Sequence, residues 1–194
     1  MTLKSFLVFK RMSRFSLILL IVMMPRWSYS ECLTALPELD KLEVMVDAQM
    51  TARDALVTIR RNAQDWKNLL LRGSDAQTRQ IMQNRFDTQA ATYEVKLGEL
   101  RKQIQALGES SQKLDILESE RAQLFGTYRG ALATHGVSSL EAAFRADKEA
   151  QGADIKTLRT LEETIGFLDV KSRKQFQEVR KLIQTCDSQQ LARQ

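Results

Sequence analysis

The chain has 194 residues, with 29 Lys and Arg against 24 Asp and Glu, and the formal net charge of +5 invites a polyanionic partner. Five of those bases, Lys4, Lys10, Arg11, Arg14 and Arg26, fall in residues 1–30, which hold no acid, so residues 31–194 carry 24 bases and 24 acids. A neutral body removes the electrostatic case for nucleic acid.

Residues 1–30 have the three parts of an export signal: a basic segment ending at Arg14, an apolar core from Phe15 to Met24, then Pro25 and a small-residue site at Ser28 and Ser30. Cleavage after Ser30 would leave Glu31 as the new N-terminus. The alternative is an uncleaved anchor in the inner membrane, but the apolar run is 10 residues where a bilayer span needs about 20. Glu31 before Cys32 is not the small residue that a lipidation site requires.

The 164 residues from Glu31 onward are enough for one domain with its own core. Their sole proline, Pro37, stands where a first helix would begin. Apolar residues then recur in alternating steps of three and four, which keeps a stripe on one face of a packed helix. The first helix is expected over about Pro37 to Arg72, with Met45, Ala52, Leu56, Ile59, Ala63, Trp66 and Leu70 on its stripe. Gly73 would cap its end, and Ser74 would cap the start of the next.

The second helix, Asp75 to Leu107, carries Met82, Phe86, Ala90, Tyr93, Leu97, Leu100, Ile104 and Leu107, and Gly108 closes it. A third, Ser111 to His135, carries Leu114, Leu117, Leu124, Tyr128 and Ala131, with Arg121 in the same register, and stops at Gly136. A short helical stretch follows from Ser138 to Ala150, broken at Gly152. The fourth long helix, Asp154 to Cys186, has the stripe Leu158, Leu161, Ile165, Leu168, Phe176, Val179, Ile183 and Cys186. Short turns force antiparallel neighbours, so the expected fold is all-α, an up-down-up-down four-helix bundle with a short extra helix before the fourth.

That topology brings the start of the first helix and the end of the fourth to one end, where Cys32 and Cys186 would meet. In an oxidising compartment an isolated pair of cysteines forms a disulfide more often than two free thiols. His135, the only histidine, cannot assemble a multi-histidine metal site, and no cofactor is expected. No nucleophile elbow, phosphate loop or metal-ligand motif is present, so the chain is not expected to be an enzyme.

At the end of the first helix the chain reads Trp66-Lys67-Asn68-Leu69-Leu70-Leu71-Arg72-Gly73-Ser74-Asp75. Phe86 and Gln89, then Tyr128-Arg129 with Leu132, then Asp147 with Gly152 and Asp154 follow in order. This set resembles the periplasmic sensor domain of methyl-accepting chemotaxis proteins and covers nearly all of the mature chain. Ile155 departs from it, because the family has an arginine after Gly-x-Asp. So does the polar end from Cys186 to Gln194, where the family's chain continues into a membrane span and a cytoplasmic signalling part. The resemblance implies a soluble periplasmic sensor or ligand-binding module that acts through a partner, such as a membrane receptor or kinase. It also implies pairing into a homodimer and a small anionic metabolite as ligand.

Arg72, Asp75, Tyr128, Arg129, Asp147 and Asp154 are expected to gather at one tip, and these apart from Asp75, together with Arg121, are the candidate ligand-binding residues. Each has a structural alternative. Charged groups at helix ends complement the helix dipole, and Tyr128 and Trp66 lie on packing stripes. Arg121 either meets a carboxylate ligand or lets its stem pack while pairing with Glu118 or Glu94. His135 reads as a polar cap, and the acid pairs Glu162/Glu163 and Glu118/Glu120 read as solvated faces. The competing function is a structural or adaptor bundle, a truncated receptor descendant that binds helices and no small molecule.

Overall fold

The structure, a computed structural model, describes residues 35–191. The expected signal segment and Cys32 lie outside them, as does the side chain of Cys186, and so the expected disulfide lies outside them too. The described chain is all-α, with helices α1 (Ala35–Arg72), α2 (Ala76–Ala106), α3 (Gln112–His135), α4 (Leu140–Ala150) and α5 (Ile155–Leu191). No strand occurs among the described residues, and none of their helices is long and apolar enough to cross a membrane.

Local chemistry sets the helix ends. Pro37 falls in the first turn of α1, where a missing N–H forfeits no intrahelical bond. At the start of α2 the cap is Asp75 and not Ser74: the Asp75 carboxylate accepts the Thr78 N–H at 2.7 Å. That hydrogen bond holds the Asp75 carboxyl below its usual range. Ser139 caps α4 in the same way through the Ala142 N–H at 3.2 Å. Gly108 and Gly136 follow α2 and α3 at φ of 69° and 67°, in the left-handed region that glycine enters without a Cβ penalty.

Gly73 ends α1 for a different reason. A Cβ there would sit 2.4 Å from the Leu69 carbonyl oxygen and 2.8 Å from Val137 Cγ2, so the position needs glycine for close approach.

The described residues divide into two compact units, Lys41–Arg173 and the two chain ends beyond them. In the larger unit, α1 meets α2 where Asn62 Nδ2 donates to the Phe86 carbonyl at 2.9 Å. Helix α2 meets α3 through Arg129–Asp87 at 3.2 Å, Arg121–Glu94 at 2.9 Å and Arg101–Asp115 at 2.8 Å. Helix α3 meets α5 through Thr160 and Glu120 at 3.1 Å, and α5 returns to α1 through Gln49–Asp169 at 3.0 Å and Arg60–Glu162 at 2.9 Å. With Asp65–Arg85 at 3.3 Å as a second contact of α1 with α2 and Lys113–Glu163 at 3.9 Å as a second contact of α3 with α5, residue numbers rise on one helix as they fall on its neighbour in each pair, so these contacts are antiparallel. Helix α4 turns Ala143, Ala146 and Ala150 inward, and is tied by Asp147 to Lys67 and by Glu149 to His135.

The expected stripes of α1, α2 and α3 supply most of the buried core. On α5 the stripe holds through Leu161 and Leu168 but fails at Phe176 and Ile183, which are 57% and 45% exposed. In the smaller unit Gln175 takes the inward position, because its amide donates to the Glu38 carboxylate at 2.5 Å and to the Glu38 carbonyl at 3.3 Å. Phe176, one residue on and so turned about 100° round the helix, is left outside. Helix α5 also runs past the expected end at Cys186, to Leu191.

Gly130 lies on the exposed face of α3 with nothing within 4 Å of a Cβ built there. Replacing it by alanine therefore restores helix propensity at no steric cost, and Gly130→Ala should stabilise the fold by about 0.5–1 kcal/mol. Gly73→Ala should instead destabilise it by about 1–3 kcal/mol, through the clash with Leu69 and Val137. Urea unfolding of both variants checks the opposite signs.

Candidate functional site

Four aromatic side chains of the core converge where α1, α2 and α3 meet. Trp66 comes from the inner face of α1, Phe86 from α2, and Phe125 and Tyr128 from α3. Trp66 stacks on Tyr128 with ring centroids 4.7 Å apart and planes 16° from parallel. Phe86 meets Tyr128 and Phe125 edge-on, at 5.7 and 5.8 Å. Such geometries let the positive edge of one ring meet the negative face of another, for about 0.5–1.5 kcal/mol beyond burial.

Beside these rings lies a small open cavity of about 80 Å³, with Trp66, Phe86 and Tyr128 as its apolar wall and Gln83, Asp87 and Arg129 as its polar side. Arg129 reaches Asp87 at 3.2 Å, and both side chains are more than half exposed. An exposed pair of this kind is worth about 0–1 kcal/mol, so either partner can exchange it for a ligand at little cost.

The Tyr128 phenol is pushed well above its usual range, first by burial and then by the negative charges of Asp154 and Asp147. Thus four of the six candidate residues share one neighbourhood: Tyr128 and Arg129 line the cavity, and Asp147 and Asp154 act electrostatically on Tyr128. Asp147 is also paired with Lys67, while Asp154 is half-buried. Arg72 is exposed at the end of α1 and does not line the cavity. Arg121, about two turns before Tyr128, is occupied by Glu94 at 2.9 Å and does not line it either. His135 pairs with Glu149 at 2.7 Å.

No sequence pattern singles out Asp87 and Gln83, since polar residues flanking a stripe carry no periodic signal. Glu120, expected on a solvated face, is buried, at 4% exposure. It stands three residues after Leu117 and four before Leu124, whereas Arg121 stands four after and three before, so both fit the same seam. Its carboxylate turns inward to take the Thr160 hydroxyl, and Arg121 sits partly outside. Among the described residues no group of three or more His, Cys, Asp or Glu is placed to hold a metal ion. No family model matches the chain, and neither does a curated protein or a solved structure.

The two buried phenols give a pH test. Tyr93 is likewise pushed up, by burial and then by Glu120, with Arg121 opposing. A phenol in the unfolded chain ionises near pH 10, and in the folded protein both remain neutral above that. The stability this contributes is complete below about pH 10 and is lost as the pH rises further. Spectrophotometric titration should show Tyr93 and Tyr128 ionising only together with alkaline unfolding. Substituting both by phenylalanine should remove that step.

Proposed function

We propose that the chain is an exported periplasmic sensor or ligand-binding module, an up-down-up-down four-helix bundle that resembles a chemoreceptor sensor domain and acts through a partner protein. Support for the bundle comes from the contacts of α1 with α2, α2 with α3, α3 with α5 and α5 with α1, all antiparallel. The observation that carries the functional proposal is the cavity, where Arg129 and Tyr128 of the family-like motif stand against Trp66. A ligand carboxylate would take the fork of Arg129 and release Asp87, while its carbon atoms lie on the aromatic wall. At about 80 Å³ the space is well below the roughly 300–1,000 Å³ of drug-sized pockets. The ligand class is therefore a short organic acid or a small amino acid. A homodimer, and a membrane receptor or kinase as the signalling partner, complete the proposal.

A second function, a structural or adaptor bundle, draws on one specific feature. Helix α4 turns its alanines inward and leaves Leu140 and Phe144 80% and 69% exposed, which is an apolar contact suited to another helix.

Calorimetry with short organic acids and small amino acids separates the two. Arg129→Ala should weaken binding about tenfold or more, as loss of a charged hydrogen bond does, whereas Arg72→Ala and Arg121→Ala should cost less. Equal affinity in all three variants would overturn the site, and no binding by any such compound would favour the adaptor. The export proposal is checked on protein recovered from the periplasm, which should begin at Glu31 and yield a linked Cys32–Cys186 peptide under non-reducing conditions.

A further inference from the structure

The middle of the larger unit contains buried polar atoms that no neighbouring side chain satisfies. Tyr93 of α2 is fully buried and its hydroxyl has no partner. Glu120 of α3 is 4% exposed. Its Oε1 accepts from Thr160 at 3.1 Å and lies 3.8 Å from Lys156 Nζ, but its Oε2 has no partner. Thr157 of α5, at 1% exposure, is also unpartnered. It differs in this from Thr58 and Thr164, whose hydroxyls donate to carbonyls one turn back at 2.8 Å.

These groups share one locality. The Arg121–Glu94 pair at 2.9 Å joins the residues next to Glu120 and Tyr93 and so brings their turns of α3 and α2 together, where Tyr93 feels the charges of both Glu120 and Arg121, and Thr157 lies in the same turn of α5 as Lys156 and Thr160, which reach Glu120. The Nε of Arg121 is buried without a partner as well, although its Nη1 pairs with Glu94.

The donor and acceptor set selects the ligand. Glu120 Oε2 only accepts, Arg121 Nε only donates, and the two hydroxyls do either. A cation would satisfy the carboxylate and face the arginine, and an anion would do the reverse. Water both donates and accepts, and a buried water commonly makes about three hydrogen bonds to such groups. We propose that Tyr93, Glu120 and Thr157, from three different helices, form an internal hydration site that holds at least one long-lived water, separate from the cavity beside Trp66.

Oxygen-17 relaxation dispersion of water, measured on the full chain, counts waters held longer than the molecule takes to tumble. The wild type should show such a signal. The variant Tyr93→Phe/Glu120→Met/Thr157→Val, apolar and of similar volume, should lose the contribution of about one water or more. Thr164→Val, whose hydroxyl is satisfied by its own helix, should leave the signal unchanged. If the triple variant does not unfold cooperatively, Thr157→Val alone should still shorten the residence time or lower the amplitude. A wild type without the signal would overturn the proposal, and so would an unchanged amplitude in the triple variant or, where that does not fold, in Thr157→Val. So would a sodium or chloride stabilisation at fixed ionic strength that the substitutions remove.

Discussion

Stacking of Trp66 on Tyr128 is the constraint from which the packing of α1, α2 and α3 around the aromatic cluster follows. Each large aromatic side chain buries about 150–250 Å², and four of them meet where α1, α2 and α3 converge. Rings of this size pack only in a few mutual orientations, so they fix how the three helices approach one another. Leu69 and Leu70 continue the same face of α1, and just beyond them Gly73 comes so close to Val137 that no side chain fits. The cavity is a by-product of the same packing, because the Phe86 and Tyr128 rings lie edge to face and leave a notch beside Trp66. Arg129 stands at that notch because it is the next residue after Tyr128, one step round the helix toward solvent.

Away from the rings the core changes character. Along α1 small residues, Ala48, Thr51, Ala52, Ala55 and Thr58, are buried between Met45 and Ile59, and on α5 Thr157, Thr164 and Ser172 are buried beside Leu161 and Leu168. Small side chains let helices approach closely but bury little apolar area, which lowers the hydrophobic contribution at about 25 cal/mol per Å². Hydroxyls bonded to their own helix, as at Thr58 and Thr164, keep this region satisfied. The layer around Glu120 differs, because a carboxylate, a phenol and a hydroxyl from three helices are buried there with an oxygen left without a partner in the protein. The unit thus has an aromatic end with a cavity and a polar middle.

Helix positions and most of the core were legible in the sequence, because a step of three and four is a direct image of a helix with one buried face. Trp66, Phe86, Leu117 and Leu124 were all on it, and all are buried. What failed was the choice between adjacent residues. At Phe176 the partner that decided the matter was Glu38, 137 residues away in the bond from Gln175, and no local pattern encodes it. Between Glu120 and Arg121 the spacing was symmetric, and only the placement of Thr160 on α5 turned the acid inward. The cavity was half legible: Tyr128 and Arg129 were found through the motif, whereas Asp87 and Gln83 were set by the antiparallel register of α2 against α3.

The dependence of the α1–α3 junction on one aromatic contact is tested by a double-mutant cycle in equilibrium unfolding, using Trp66→Leu, Tyr128→Leu and the pair. We expect each single substitution to destabilise the fold and the pair to show a coupling of about 0.5–1.5 kcal/mol, the range of a close aromatic contact. Losses that add within about 0.3–0.5 kcal/mol, as they do for independent sites, would show that Trp66 and Tyr128 pack separately and would contradict it.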